Sequence, residues 1–139
     1  MPDPRETVVF RWLAAGDAGD LDAFDELLHP DSVVHAPAGL STTSADDEKA
    51  VWADALAAIP DLHHEVQEVV AEGEVEMARV VVTGTLTAGF GGVEPSGRPF
   101  RIDQAVIVHL RDGKVAEAWE IADVAAIREQ SSQSESSAP

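Results

Sequence analysis

The change of hydrophobic period at Pro60-Asp61 constrains this chain more than any other feature. Before it, apolar residues recur at helical spacing. TVVFRWLAA (7 to 15) sets Val8, Val9, Trp12 and Leu13 on one stripe, LDAFDELL (21 to 28) carries Leu21, Phe24, Leu27 and Leu28, and SADDEKAVWADALAAI (44 to 59) carries Trp52, Leu56 and Ile59. Ser44 is the expected N-cap of the third helix, with Asp46, Asp47 and Glu48 suited to the positive end of its dipole. After Pro60-Asp61 the pattern alternates, which predicts strands at 62–71, 75–90, 98–111 and 114–122, in addition to a short one at DSVVHAP (31 to 37). Helices followed by a meander of strands imply an α+β fold: three N-terminal helices packed on one face of a curved antiparallel sheet.

The 139 residues suit a single domain, taken as residues 1–128, and the apolar-poor run EQSSQSESSAP (129 to 139) predicts a disordered tail. With 26 acidic against 9 basic residues the formal charge is -17, which repels nucleic acid and anionic lipid. There is no cysteine, so thiolate metal sites and disulfides are excluded. MPDPRETVVF lacks the pattern of a signal peptide and no run approaches the ~20 apolar residues of a membrane span, so a cytoplasmic protein is expected.

The last hairpin, IVHLRDGKVAEAWEIAD (107 to 123), places Glu120 among alanines. A three-residue loop at Arg111, Asp112 and Gly113 would set Ile102, Gln104, Val106 and Val108 opposite Ala122, Glu120, Ala118 and Ala116, making Gln104 and Glu120 direct neighbours. A two-residue turn at Asp112-Gly113 would instead set Glu120 opposite Ala105. The first register gives a nearly apolar face on which two polar groups meet. A carboxyl there would be poorly solvated, with a raised pKa suited to proton exchange near neutral pH. His109 and Asp123 fall on the opposite face and too far apart to form a dyad, and His35, His64 and His109 lack metal-site spacing.

IPDLHHEV (59 to 66), AEGEV (71 to 75), TGTLTAGFGG (83 to 92), EPSGRPF (94 to 100) and LRDGKVAEAWEIAD (110 to 123) together resemble the SnoaL-like polyketide cyclases of the nuclear transport factor 2-like superfamily. The resemblance implies a cone around an apolar pocket, a homodimer formed through the sheet, no cofactor, and acid/base ring closure of a polyketide-like polycyclic substrate. It puts the family's catalytic aspartate on Glu120 and its neighbouring histidine on Val106, with Gln104 on a family glutamine. Valine can neither remove nor donate a proton. His35, which matches a histidine many members carry after Pro-Asp, is the expected substitute donor if it faces inward with Val33 and Pro37. The pocket lining expected is Gln104, Val106 and Ala118 from the hairpin, Trp12, Trp52 and Leu56 from helices, and His64 and Phe90 from the remaining strands. Two other uses of the same cone stay open: a non-catalytic ligand-binding or dimerisation module, and a hydrolase for epoxides or esters.

Overall fold

Helices and strands divide as the period change predicts as far as Ala122 in the computed structural model, which describes residues 3–136. Helix α1 (Val8–Asp17) starts at Thr7, whose side chain accepts from the Phe10 N–H. The Glu76 carboxylate, reaching over from the sheet, accepts from the Val8 and Val9 N–H groups at 3.2 and 2.8 Å. An otherwise costly buried acid thus satisfies two orphan donors at the positive end of a helix. Helix α2 (Phe24–Leu27) follows a 3-10 turn, Leu21–Ala23. Helix α3 (Ala45–Ala58) is capped by Ser44, whose hydroxyl accepts from the Asp47 N–H at 3.0 Å.

Five strands form one sheet: β1 (Leu28–His35), β2 (His63–Glu72), β3 (Val75–Thr85), β4 (Pro99–Arg111) and β5 (Lys114–Ala122), in the order β1-β5-β4-β3-β2. The last four form the expected antiparallel meander, while β1 adds to the β5 edge in parallel, so the sheet is mixed. A strand's alternation records which side chains are buried and not which neighbour it joins or in what direction. β1 also begins at Leu28, ahead of Pro30 rather than after it; the proline sits near the register shift between Leu28 and Val33. β3 ends at Thr85, short of the Phe90 expected, and Phe90 forms an isolated bridge with Val93. At Gly84 a Cβ would come within 2.4 Å of the Ile59 side chain, so the glycine lets the end of α3 rest on the sheet.

A fourth helix, α4 (Val124–Ser136), runs through much of the stretch expected to be a tail. Asp123 begins it by accepting from the Ala126 N–H, and the Gln130 amide bonds both the N–H and the carbonyl of Arg101 at the β4 edge, at 2.7 and 2.8 Å. Val124, Ala126 and Ile127 pack on the core, so a short apolar start anchors a segment whose composition alone reads as solvent-loving. Residues 137–139 of that expected tail lie outside the described residues. The core between helices and sheet centres on Trp12, Leu13, Phe24, Leu28, Val80, Val106 and Val108, all at most 1% exposed.

Candidate active site

The β4–β5 turn and a bulge together aim Glu120. Asp112 and Gly113 both take positive φ, 54° and 77°, and form a two-residue turn that pairs Arg111 with Lys114 and Leu110 with Val115. The register then shifts, pairing His109 with Glu117 and leaving Ala116 as the extra residue. Val115 and Ala118, three apart, are both fully buried for this reason. Beyond the bulge Glu120 faces Val106, and Gln104 faces Ala122. At the turn the second expected register holds, but beyond the bulge neither does; the first still placed Glu120 on the correct face, because turn and bulge together displace its pairing by an even number of residues. Gln104 becomes the diagonal neighbour of Glu120 instead of its direct partner.

Glu120 lines an apolar cavity of about 140 Å³ enclosed by α3, the sheet, the 36–40 loop and the start of α4. Trp52, Ile59, Phe90, Phe100 and Ile102 form much of the wall, and Glu48, His64, Gln104 and Glu120 are its polar groups. Burial, and after it the negative charge of Glu48, push the Glu120 carboxyl up to about 8. Glu120 has no hydrogen-bond donor among the described residues to offset that burial, so it holds its proton at neutral pH.

Glu48 stands in the first turn of α3 as expected, and it also lines the cavity. Expected only as a dipole partner in the first turn of α3, it is 2% exposed and accepts from the Thr42 hydroxyl at 2.9 Å and the Trp52 indole N–H at 3.0 Å. Burial pushes its pKa upward, and these two bonds act in the opposite direction. Two buried carboxyls that feel each other cannot both ionise cheaply. With two donors Glu48 is the better home for the charge and Glu120 for the proton. The signal was present in the sequence, since Glu48 lies four residues before Trp52 and therefore on the same helical face.

His64 does reach the cavity, as expected. Its Nδ1 lies 2.7 Å from Asp17 Oδ1, its backbone N–H donates to Asp17 Oδ2 at 2.6 Å, and its ring packs against Trp52 with centroids 5.2 Å apart. Both side chains are largely sealed, at 7% exposure for His64 and 13% for Asp17. Asp17 is the last residue of α1. His64 and Asp17 also line a second groove, between α1 and β2, together with Phe10, Leu13 and His63.

Other expected positions fall outside the cavity. His35 lies on the outer face of the sheet, 2.7 Å from Glu117 and stacked on Trp119, because the β1 register on β5 pairs Val34 with Ala118 and buries those two instead. It cannot act as donor in the cavity. Trp12, Val106 and Ala118 are fully buried core, and from α3 it is Ala55 rather than Leu56 that faces the hollow. Trp52, Phe90 and Gln104 line it as expected. Among the described residues no group of three His, Cys, Asp or Glu side chains could hold a metal ion, and no helix is long and apolar enough to cross a membrane.

The α+β architecture around this cavity defines the class of protein: a cone fold of the nuclear transport factor 2 type. The chain belongs to the SnoaL-like polyketide cyclase family, which it matches over residues 6–131. Among solved structures it is similar to IdmH of Streptomyces antibioticus, a candidate polyketide cyclase, at 30% identity and a TM-score of 0.77 over 88% of this chain and 94% of that one. It is similar also to AclR of Streptomyces galilaeus, a candidate hydroxylase, at 27% identity and a TM-score of 0.75 over 91% and 93% of the two chains. The ECF RNA polymerase sigma factor SigJ of Mycobacterium tuberculosis is 33% identical over 131 residues, 88% of this chain but 39% of that protein.

Proposed function

We propose that the chain is a cyclase- or isomerase-type enzyme that moves protons next to a carbonyl in an apolar, polyketide-like substrate, with Glu120 as its acid. The observation that supports this reading is a carboxyl kept neutral near pH 7 in the wall of an apolar cavity. A neutral carboxyl can donate to a carbonyl oxygen and hand over its proton as enolate charge develops. A cavity of about 140 Å³ is close to the ~150 Å³ that admits one benzene ring, so a fused-ring substrate would insert one ring.

Glu120→Gln, which keeps shape and one donor, is expected to reduce turnover of aromatic polyketide carbonyls by ~10²–10⁴-fold. Thermal stabilisation of the variant by the same compounds should persist. Unchanged turnover would remove Glu120 from the chemistry. A second reading rests on the likeness to SigJ: as a non-catalytic module, the cavity would bind a small apolar molecule without transforming it. Ligand-induced stabilisation with no turnover by the unaltered chain would favour that reading.

The proposal includes a homodimer through the outer sheet face. Paired positions Val70, Met77, Ile107, Trp119 and His35 form one row across all five strands, with Val70 53% and Met77 46% exposed. Sedimentation should give a dimer at micromolar concentration and a monomer for Met77→Glu; a monomeric unaltered chain would rule the dimer out.

A further inference from the structure

Proton transfer next to a carbonyl needs a base as well as an acid, and the position opposite Glu120 is Val106, which has no proton chemistry. Glu48 is ill suited to the task. Both its oxygens already accept hydrogen bonds, from Thr42 and Trp52, and only 2% of the residue is exposed. Gln104 does not titrate. Among the cavity's polar groups that leaves His64.

We propose that His64, oriented by Asp17, is the base of this site and works with Glu120 as its acid on opposite sides of the bound substrate. This inference rests on the proton-transfer reading above. Its geometry is that of an activated imidazole. Asp17 engages Nδ1 and the backbone N–H of the same residue, which holds the ring in the tautomer with hydrogen on Nδ1 and a free pair on Nε2. Among the described residues Nε2 has no hydrogen-bond partner. The carboxylate also supplies the countercharge for the imidazolium that forms when Nε2 takes a proton.

The placement of acid and base restricts the substrate. His64 is on β2 and Glu120 on β5, three strand positions apart and offset along the strands, His64 aligning with Ile102 of β4 and Glu120 with Val106, which corresponds to ~20 Å between backbones in a flat sheet and less in a bent one. Both side chains reach inward to the same hollow. The acidic C–H and the carbonyl oxygen must therefore lie on different sides of the molecule, joined by conjugation through a ring. In the step, Nε2 takes the proton and the C–H electron pair becomes a new C=C bond. The conjugated system shifts by one bond, and the carbonyl π pair moves to oxygen, which takes the proton of Glu120. Return of a proton from the imidazolium to another carbon, with the enol proton going back to the Glu120 carboxylate, completes an isomerisation and restores both groups.

The test uses the full chain with a fused-ring conjugated enone in D2O, following exchange at the carbon remote from the carbonyl by NMR. His64→Gln is expected to slow exchange by ~10²–10⁴-fold, and His64→Ala to regain part of the rate with added imidazole. Asp17→Asn should lower kcat by ~10²-fold with KM little changed, since it disturbs the tautomer and not the cavity. Thermal stabilisation by the enone, measured on each variant, separates loss of chemistry from loss of fold. If Glu120→Gln abolishes exchange while folded His64→Gln retains it in full, this inference fails and the proton-transfer reading survives. If the unaltered chain exchanges nothing, both fail.

Discussion

Raising the pH from 5 to 9 is expected to lower the stability of the folded chain, and Glu120→Gln to remove most of that fall. Glu120 titrates at 4.5 when solvated and at about 8 in the fold, raised by burial first and by the Glu48 charge second. The folded state therefore binds a proton that the unfolded chain has released at every pH between those values. Stability must decline as the pH rises, from its full value below 4.5 to a plateau above about 8. The size is on the order of 3 kcal/mol, since each unit of displacement is worth about 1.4 kcal/mol and relaxation of a cavity wall recovers part of it. Denaturant unfolding of the unaltered chain and of Glu120→Gln across this range measures the difference directly, and changes common to both, such as those from the -17 net charge, cancel. Glu48→Gln removes the second cause and should move the decline to lower pH. Parallel curves for Glu120→Gln and the unaltered chain would mean that Glu120 is solvated in the fold.

Gly16→Ala is expected to cost about 1–3 kcal/mol although it adds only a methyl group in a helix, where alanine is ordinarily favoured. A Cβ at Gly16 would lie 2.3, 2.5 and 2.6 Å from three ring carbons of Trp52. The indole has little room to yield. Phe24 meets it edge-on with centroids 5.9 Å apart, His64 lies on another side, and its N–H is tied to Glu48. Displacing the ring would narrow the cavity and loosen the bond that stabilises ionised Glu48, so the carboxyl pair should titrate differently as well. The check is a thermal unfolding midpoint alongside the stability–pH curve of the variant. A midpoint at or above that of the unaltered chain would mean that the contact between α1 and Trp52 is not fixed.

These two predictions differ in how far the sequence reaches. The face that carries Glu120 was legible, because alternation has a period of two and an even displacement of register leaves it intact. Its partner was not. The Ala116 bulge inserts a residue with no sign in a run as uniformly apolar as KVAEAW. His35 was misplaced by one residue of phase on a strand whose partner, β5, lies some eighty residues away, and an error of one turns a cavity residue into a surface one. Glu48 carried a usable signal in its spacing from Trp52, hidden by the equally sound expectation that acids favour helix starts. Asp17 carried none, since its role depends on a histidine that is 47 residues distant along the chain.

The sequence by itself determined the division into helices and strands as far as Ala122, the family, and the presence of an acid among alanines on an inward face. All of these rest on local periodicity and on short motifs. Tertiary structure alone decided the parallel edge strand, the second carboxyl facing the first, and the aspartate that orients His64. The physical reason is the same for each: these are pairings of polar groups across the fold, and their energies depend on distance and burial, which the order of residues along the chain does not contain.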